Sequence, residues 1–91
     1  MSDIDFGEAT EIAQLRIDEI ADRAGDRFFI VPRFTTEVEL GWVYFYNCAE
    51  YLRTGELSDS IVGNGPILVT RSGVVYELPA ATPWEDALAD I

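Results

Sequence analysis

Between positions 6 and 24 apolar residues return every three or four places, at Ala9, Ile12, Ala13, Ile17, Ile20, Ala21 and Ala24. That period lays them along one broad face of a helix. Glu11, Asp18, Glu19 and Asp22 crowd the opposite side, with Leu15 among them. Asp5 supplies an N-cap, and Glu8, three places on, completes the spacing of a capping box. Gly25 follows Arg23 and is a natural left-handed stop. The spacing predicts a long amphipathic helix over 6–24.

The period then shortens to two. Phe28 to Val31 is a β-prone run that continues past Pro32 towards Phe34. Proline cannot donate to a ladder, so this strand belongs at an edge or carries a bulge. Residues 35–37 read as a turn and 38–46 as one strand, with Trp42, Tyr44 and Tyr46 on one face and Val43 and Phe45 on the other. Large apolar groups on both faces predict cover on both. Asn47 then caps a short helix that ends at Gly55, and 61–66 is an irregular connection. Two further strands, 67–70 and 74–78, are joined by the hairpin signal Ser72-Gly73. Thr82-Pro83-Trp84-Glu85 begins the last helix, with threonine as cap, proline at the first helical position and glutamate closing a capping box. Trp84, Ala87, Leu88 and Ile91 form its apolar stripe. The order predicts one α+β domain over 1–91. It is a four-stranded antiparallel sheet with a long N-terminal helix, a short middle helix and a short C-terminal helix.

Charge changes this picture more than composition does. The chain is 48% hydrophobic and 12% aromatic, so it packs a core. Yet 17 acids face 6 basic residues, a net charge of -11, and histidine is absent. Residues 1–26 hold eight acids against two arginines, and 81–91 hold three acids and no basic residue, while 27–49 and 61–80 are balanced. So negative a field repels nucleic acid and anionic membranes and speeds encounter with a basic protein surface. Without histidine the commonest general base and metal ligand is missing. Cys48 is the only cysteine, which excludes an internal disulfide and suits a reducing compartment. There is no apolar signal region and no apolar run near the roughly 20 residues of a membrane span, so the expected location is the cytoplasm.

Few residues invite chemistry. Cys48 has no histidine to activate it, so an inert thiol is expected. Carboxylate pairs such as Glu37 and Glu39 lack a converging third ligand. Gly63-Asn64-Gly65-Pro66 is either a plain turn or a partner-contacting loop through Asn64; no lysine follows, so it is no phosphate loop. Trp42, Tyr44 and Tyr46 are either packed under the long helix or exposed as an aromatic platform for a partner. Glu11, Asp18, Glu19 and Asp22 are like charges at helical spacing, which costs a few tenths of a kcal/mol per pair. They are either a solubilising face or a face for a basic partner, and their retention without interleaved lysine is a sign of selection. The expectation is a protein-binding module, monomer or homodimer, with no catalytic, cofactor or metal residues and no nucleic-acid or membrane partner.

Several stretches also carry a family likeness. They are Gly41-Trp42-Val43-Tyr44-Phe45-Tyr46-Asn47, Glu50-Tyr51-Leu52-Arg53-Thr54-Gly55, Val62-Gly63-Asn64-Gly65-Pro66-Ile67-Leu68-Val69, Ser72-Gly73-Val74-Val75 and Ala81-Thr82-Pro83-Trp84-Glu85. In this order they resemble the YrhB-like family, also called the immunity protein 35 family. The chain departs from the pattern at Leu78-Pro79-Ala80-Ala81, where a glycine is usual, and at Trp84, where an aliphatic residue is. The resemblance implies a bacterial immunity protein that neutralises a cognate polymorphic toxin by binding it. The acidic field adds the expectation that this toxin presents a basic surface. As the alternative, the resemblance implies a small heat-stable holdase-type chaperone. It carries over no catalytic residues.

Overall fold

The structure is a computed structural model that describes residues 3–55 and 65–91. Helix α1 spans Phe6–Ala24, as its spacing predicts. The Asp5 carboxylate accepts from the Glu8 N–H at 2.8 Å, and Gly25 closes the helix in the left-handed region at φ 69°. Both ends therefore satisfy backbone groups that a bare helix leaves open.

Among the described residues six strands follow: β1 (Phe28–Ile30), β2 (Thr36–Glu37), β3 (Gly41–Tyr44), β4 (Tyr46–Cys48), β5 (Ile67–Thr70) and β6 (Val75–Glu77). Helix α2 (Ala49–Thr54) lies between β4 and β5, and α3 (Trp84–Leu88) ends the fold. The predicted four-stranded antiparallel sheet is present, in the order β2-β3-β5-β6, and β1 and β4 add a separate antiparallel pair. The α+β class holds.

Details differ from the sequence reading. The stretch 38–46 is not one strand. Glu39-Leu40 forms a tight turn closed by the Val38 N–H to the Gly41 carbonyl at 2.8 Å, and Thr36–Glu37 is a strand rather than a turn. A long-range contact makes this possible. Arg71 donates to the carbonyls of Val38 at 2.8 Å and Glu39 at 3.1 Å, and its guanidinium lies 4.9 Å from the centre of the Trp42 ring. The same run breaks again at Phe45, whose carbonyl accepts from the Val31 N–H at 2.8 Å, so β3 and β4 join different sheets. Pro32 ends β1 and starts a 3₁₀ turn, Pro32–Phe34, in place of a continuing strand.

Caps and turns shift as well. Asn47 pairs with Phe29 in the β1–β4 ladder, and Cys48 takes the cap position of α2. Between β5 and β6 the turn Arg71-Ser72-Gly73 is closed by the Thr70 N–H, which donates to the Val74 carbonyl at 2.8 Å. Pro83 adopts extended ψ 135° and itself occupies the cap position of α3, so Thr82 caps nothing. Ile91 is exposed, and the apolar stripe of α3 ends at Leu88.

The core has two parts because β3 and β5 alternate. Trp42, Tyr44, Ile67 and Val69 point to α1 and pack with Ala9, Ala13, Ile17, Ala21 and Phe28. Val43 and Leu68 point the other way and pack with Leu78, Ala87, Trp84 and Phe45. Alanines at the α1 contact let the helix backbone lie close on the sheet. At Gly41 an added Cβ would stand 2.0 Å from the Val69 carbonyl oxygen, so only glycine fits there.

Candidate protein-interaction site

The four positions Ala9, Ala13, Ile17 and Ala21 recur at i+4 and fix the buried side of α1. Its solvent side is then set by the remaining turn of the wheel: Glu8, Glu11, Leu15, Asp18, Glu19 and Asp22 are all exposed. Leu15, 65% exposed, sits in the middle of this acidic face rather than in the core. Glu19 has a partner in Arg16, at 4.0 Å, which also bridges to Glu77 at 2.9 Å. Among the described residues Glu8, Glu11, Asp18 and Asp22 make no ion pair. Their field is uncompensated.

Beside the C-terminal half of α1 the chain turns at Gly25 and runs back along the helix as β1. This reversal opens a cleft of about 510 Å³, walled by Asp18, Asp22 and Asp26 with Gln14 and Phe29. The Gln14 amide donates to the Asp18 carboxylate at 2.9 Å and holds it at the rim. Phe29 is 40% exposed, because Phe28 and Ile30 take the inward positions of the strand. Asp26 and Phe29 escaped the sequence reading. The signal for Phe29 was there, in the alternation of Phe28-Phe29-Ile30 on a strand half-covered by a helix.

The other predicted site residues are placed differently. Trp42 and Tyr44 are buried and Tyr46 half-buried, packed beneath α1 rather than displayed as a platform. Phe6 stacks on Tyr44 with ring centres 6.2 Å apart. The Tyr44 hydroxyl pairs with Thr10 at 2.9 Å. Burial pushes the Tyr44 phenol up, against a smaller opposing effect of the Thr10 bond. Tyr46 is raised as well, by burial and then by the nearby Glu77 carboxylate. Asn64 lies outside the described residues.

The acids of α1 and α3 sit on helices that cover opposite faces of the sheet, so they do not merge into a single stripe. Cys48 is buried. Among the described residues no cluster of three or more acids and cysteine could hold a metal ion, and no helix is long and apolar enough to cross a membrane. What the surface offers is an acidic helix face and its adjoining cleft.

The sequence profile of immunity protein 35 matches residues 7–90, and the chain belongs to that family. The family implies a protein partner such as a toxin, and immunity proteins are generally non-catalytic. The chain is also 33% identical over 51 residues to the uncharacterized protein YrhB of Escherichia coli (strain K12). That match covers 55% of this chain and 54% of the relative, so it spans about half the length of each. No solved structure matches the chain.

Proposed function

We propose that this chain acts as a single-domain bacterial immunity protein in the cytoplasm, binding and neutralising a cognate polymorphic toxin without catalysis. The family match over residues 7–90 carries the reading. The unpaired carboxylates on α1 support a partner with a basic surface, since opposite fields speed encounter and suppress wrong partners. Neutralisation then follows from occupying or screening the toxin's basic cleft. The partner is a protein and not nucleic acid, which the same field repels.

Co-expression with the toxin encoded beside this gene tests the reading. Rescue of growth and a co-eluting one-to-one complex are the expected results. Neither rescue nor co-elution sinks it. Exposed apolar side chains such as Leu15, Phe34 and Leu52 support a second reading, a holdase-type chaperone. Suppressed aggregation of unrelated heated clients, without toxin rescue, selects that one instead.

A further inference from the structure

We propose that the outer edge of β6 pairs with the β6 edge of a second copy of this chain, antiparallel about a two-fold axis at Tyr76. The proposal goes beyond the toxin reading and does not rest on it. Its first ground is the direction of the backbone groups. The Thr70 N–H bonds to the Val74 carbonyl, and the Leu78 N–H to the Pro66 carbonyl. Inward-bonding residues alternate along an antiparallel ladder, so Tyr76 also bonds inward, to its register partner Leu68. Val75 and Glu77 therefore turn their N–H and carbonyl groups outward. β6 is the last strand of its sheet, and among the described residues no strand or side chain takes those groups. The edge is also unguarded: positions 74–78 hold no lysine and no proline. Val74 and Tyr76, 48% and 39% exposed, stand along it on the Leu68 side of the sheet.

The second ground is that this edge complements itself in one register. An axis at Tyr76 sets Val75 opposite the second copy's Glu77 and Glu77 opposite its Val75. Each pair exchanges both of its N–H···O bonds, and the two Tyr76 rings meet across the seam. An axis at Glu77 would oppose like carboxylates and bring in Pro79, which has no N–H. An axis at Val75 would need Gly73 in the ladder, and Gly73 is held in the turn at φ 89°. Charge permits the chosen register. The acidic excess lies outside 61–80, a balanced stretch, and Arg16 neutralises the edge's one acid, Glu77, at 2.9 Å. The rest of the net charge of -11 repels at longer range, so added salt should strengthen this pairing.

The test uses the whole chain in a glutathione redox buffer, as Tyr76→Cys and Val74→Cys variants at exposed positions. Wild type is the control, since its Cys48 is buried. Residues opposite each other in a non-hydrogen-bonded pair have Cα atoms about 4.5 Å apart, within disulfide reach. The two Val74 positions would lie roughly 14 Å apart along the strands. Y76C is therefore expected to become a covalent dimer, while V74C and wild type do not. Sedimentation of wild type should show a reversible dimer that tightens with salt. Tyr76→Lys sets like charges directly opposite and should weaken that dimer about tenfold, with no oxidation needed for the readout. Wild type that stays monomeric up to millimolar concentration overturns the pairing. So does cross-linking of Y76C no faster than V74C, or a Y76K dimer as tight as wild type.

Discussion

The central sheet is covered on one face by a helix that is complete in itself and on the other by a helix that is not. Helix α1 has 19 residues, a capping box, a left-handed glycine stop and four buried positions at i+4. Helix α3 has five residues and no side-chain cap. A helix that short has no stability of its own. It is held by Trp84, edge-on to Phe45 with ring centres 6.1 Å apart, and by buried Ala87 against the inner side of the sheet. Local encoding built the first cover, and tertiary contact built the second. Surface charge does not follow this division: both helices carry acids without an equal number of basic residues, α1 with its other side deeply packed and α3 with Glu85 and Asp86 in its first turn.

The largest effect expected from breaking this contrast is at Ile17, fully buried under α1. Ile17→Ala should cost about 2–5 kcal/mol in urea unfolding. Trp84→Ala should cost less, about 2 kcal/mol, because Trp84 is only half-buried. Trp42 and Trp84 report on opposite faces, so fluorescence of Trp84→Phe and Trp42→Phe proteins assigns each loss to its side. Loss of the Trp42 signal on changing Trp84, without global unfolding, refutes the division.

Arg71→Ala removes the donor to two turn carbonyls and should cost about 1–2 kcal/mol. Arg71→Lys should recover only part, since a single ammonium does not reproduce the fork. Faster hydrogen exchange at Val43 and Trp42 than in wild type is the local readout. The caps give a finer contrast. Asp5→Ala should cost about 1 kcal/mol, whereas Thr82→Ala should stay within roughly 0.5 kcal/mol because its hydroxyl caps no helix. Equal costs at both sites refute the observed start of α3.

The smallest effect appears only in alkali. Tyr44 and Tyr46 both lie on the α1 side and both have pKa values raised above 10.0. The unfolded phenols ionise first, so folded protein holds more protons above that point. Stability is complete below pH 10.0 and falls as pH rises through the higher folded values. Tyr44→Phe should flatten this alkaline decline measured by urea midpoints from pH 9 to 11, even though it also loses the Thr10 bond. An unchanged slope refutes the assignment.

Legibility tracked the range of the cause. The two faces of the Trp42–Tyr46 run were readable, because alternation is a property of the chain itself. The break of that run into β3 and β4 was not, since no glycine or proline marks Phe45 and the cause is a hydrogen bond to Val31. Likewise Glu39-Leu40 carries no turn chemistry, and its turn is secured by Arg71, over thirty residues away in sequence. At the candidate site, Glu11, Asp18, Glu19 and Asp22 were legible from helical period. Asp26 and Phe29 needed the chain reversal at Gly25 to bring them beside Asp18.

The sequence by itself determined the acidic helix: its limits, its caps, which side packs and which side stays charged. All of these are set by interactions within four residues along the chain. Only the tertiary structure decided that Trp42 and Tyr44 are core and not platform, and that the acids of α1 and α3 face apart. It alone also made the acidic face continue into an aromatic-walled cleft. Those outcomes depend on which strand pairs with which and which helix covers which face. Such choices are made by burial summed over distant segments, and no local pattern records them.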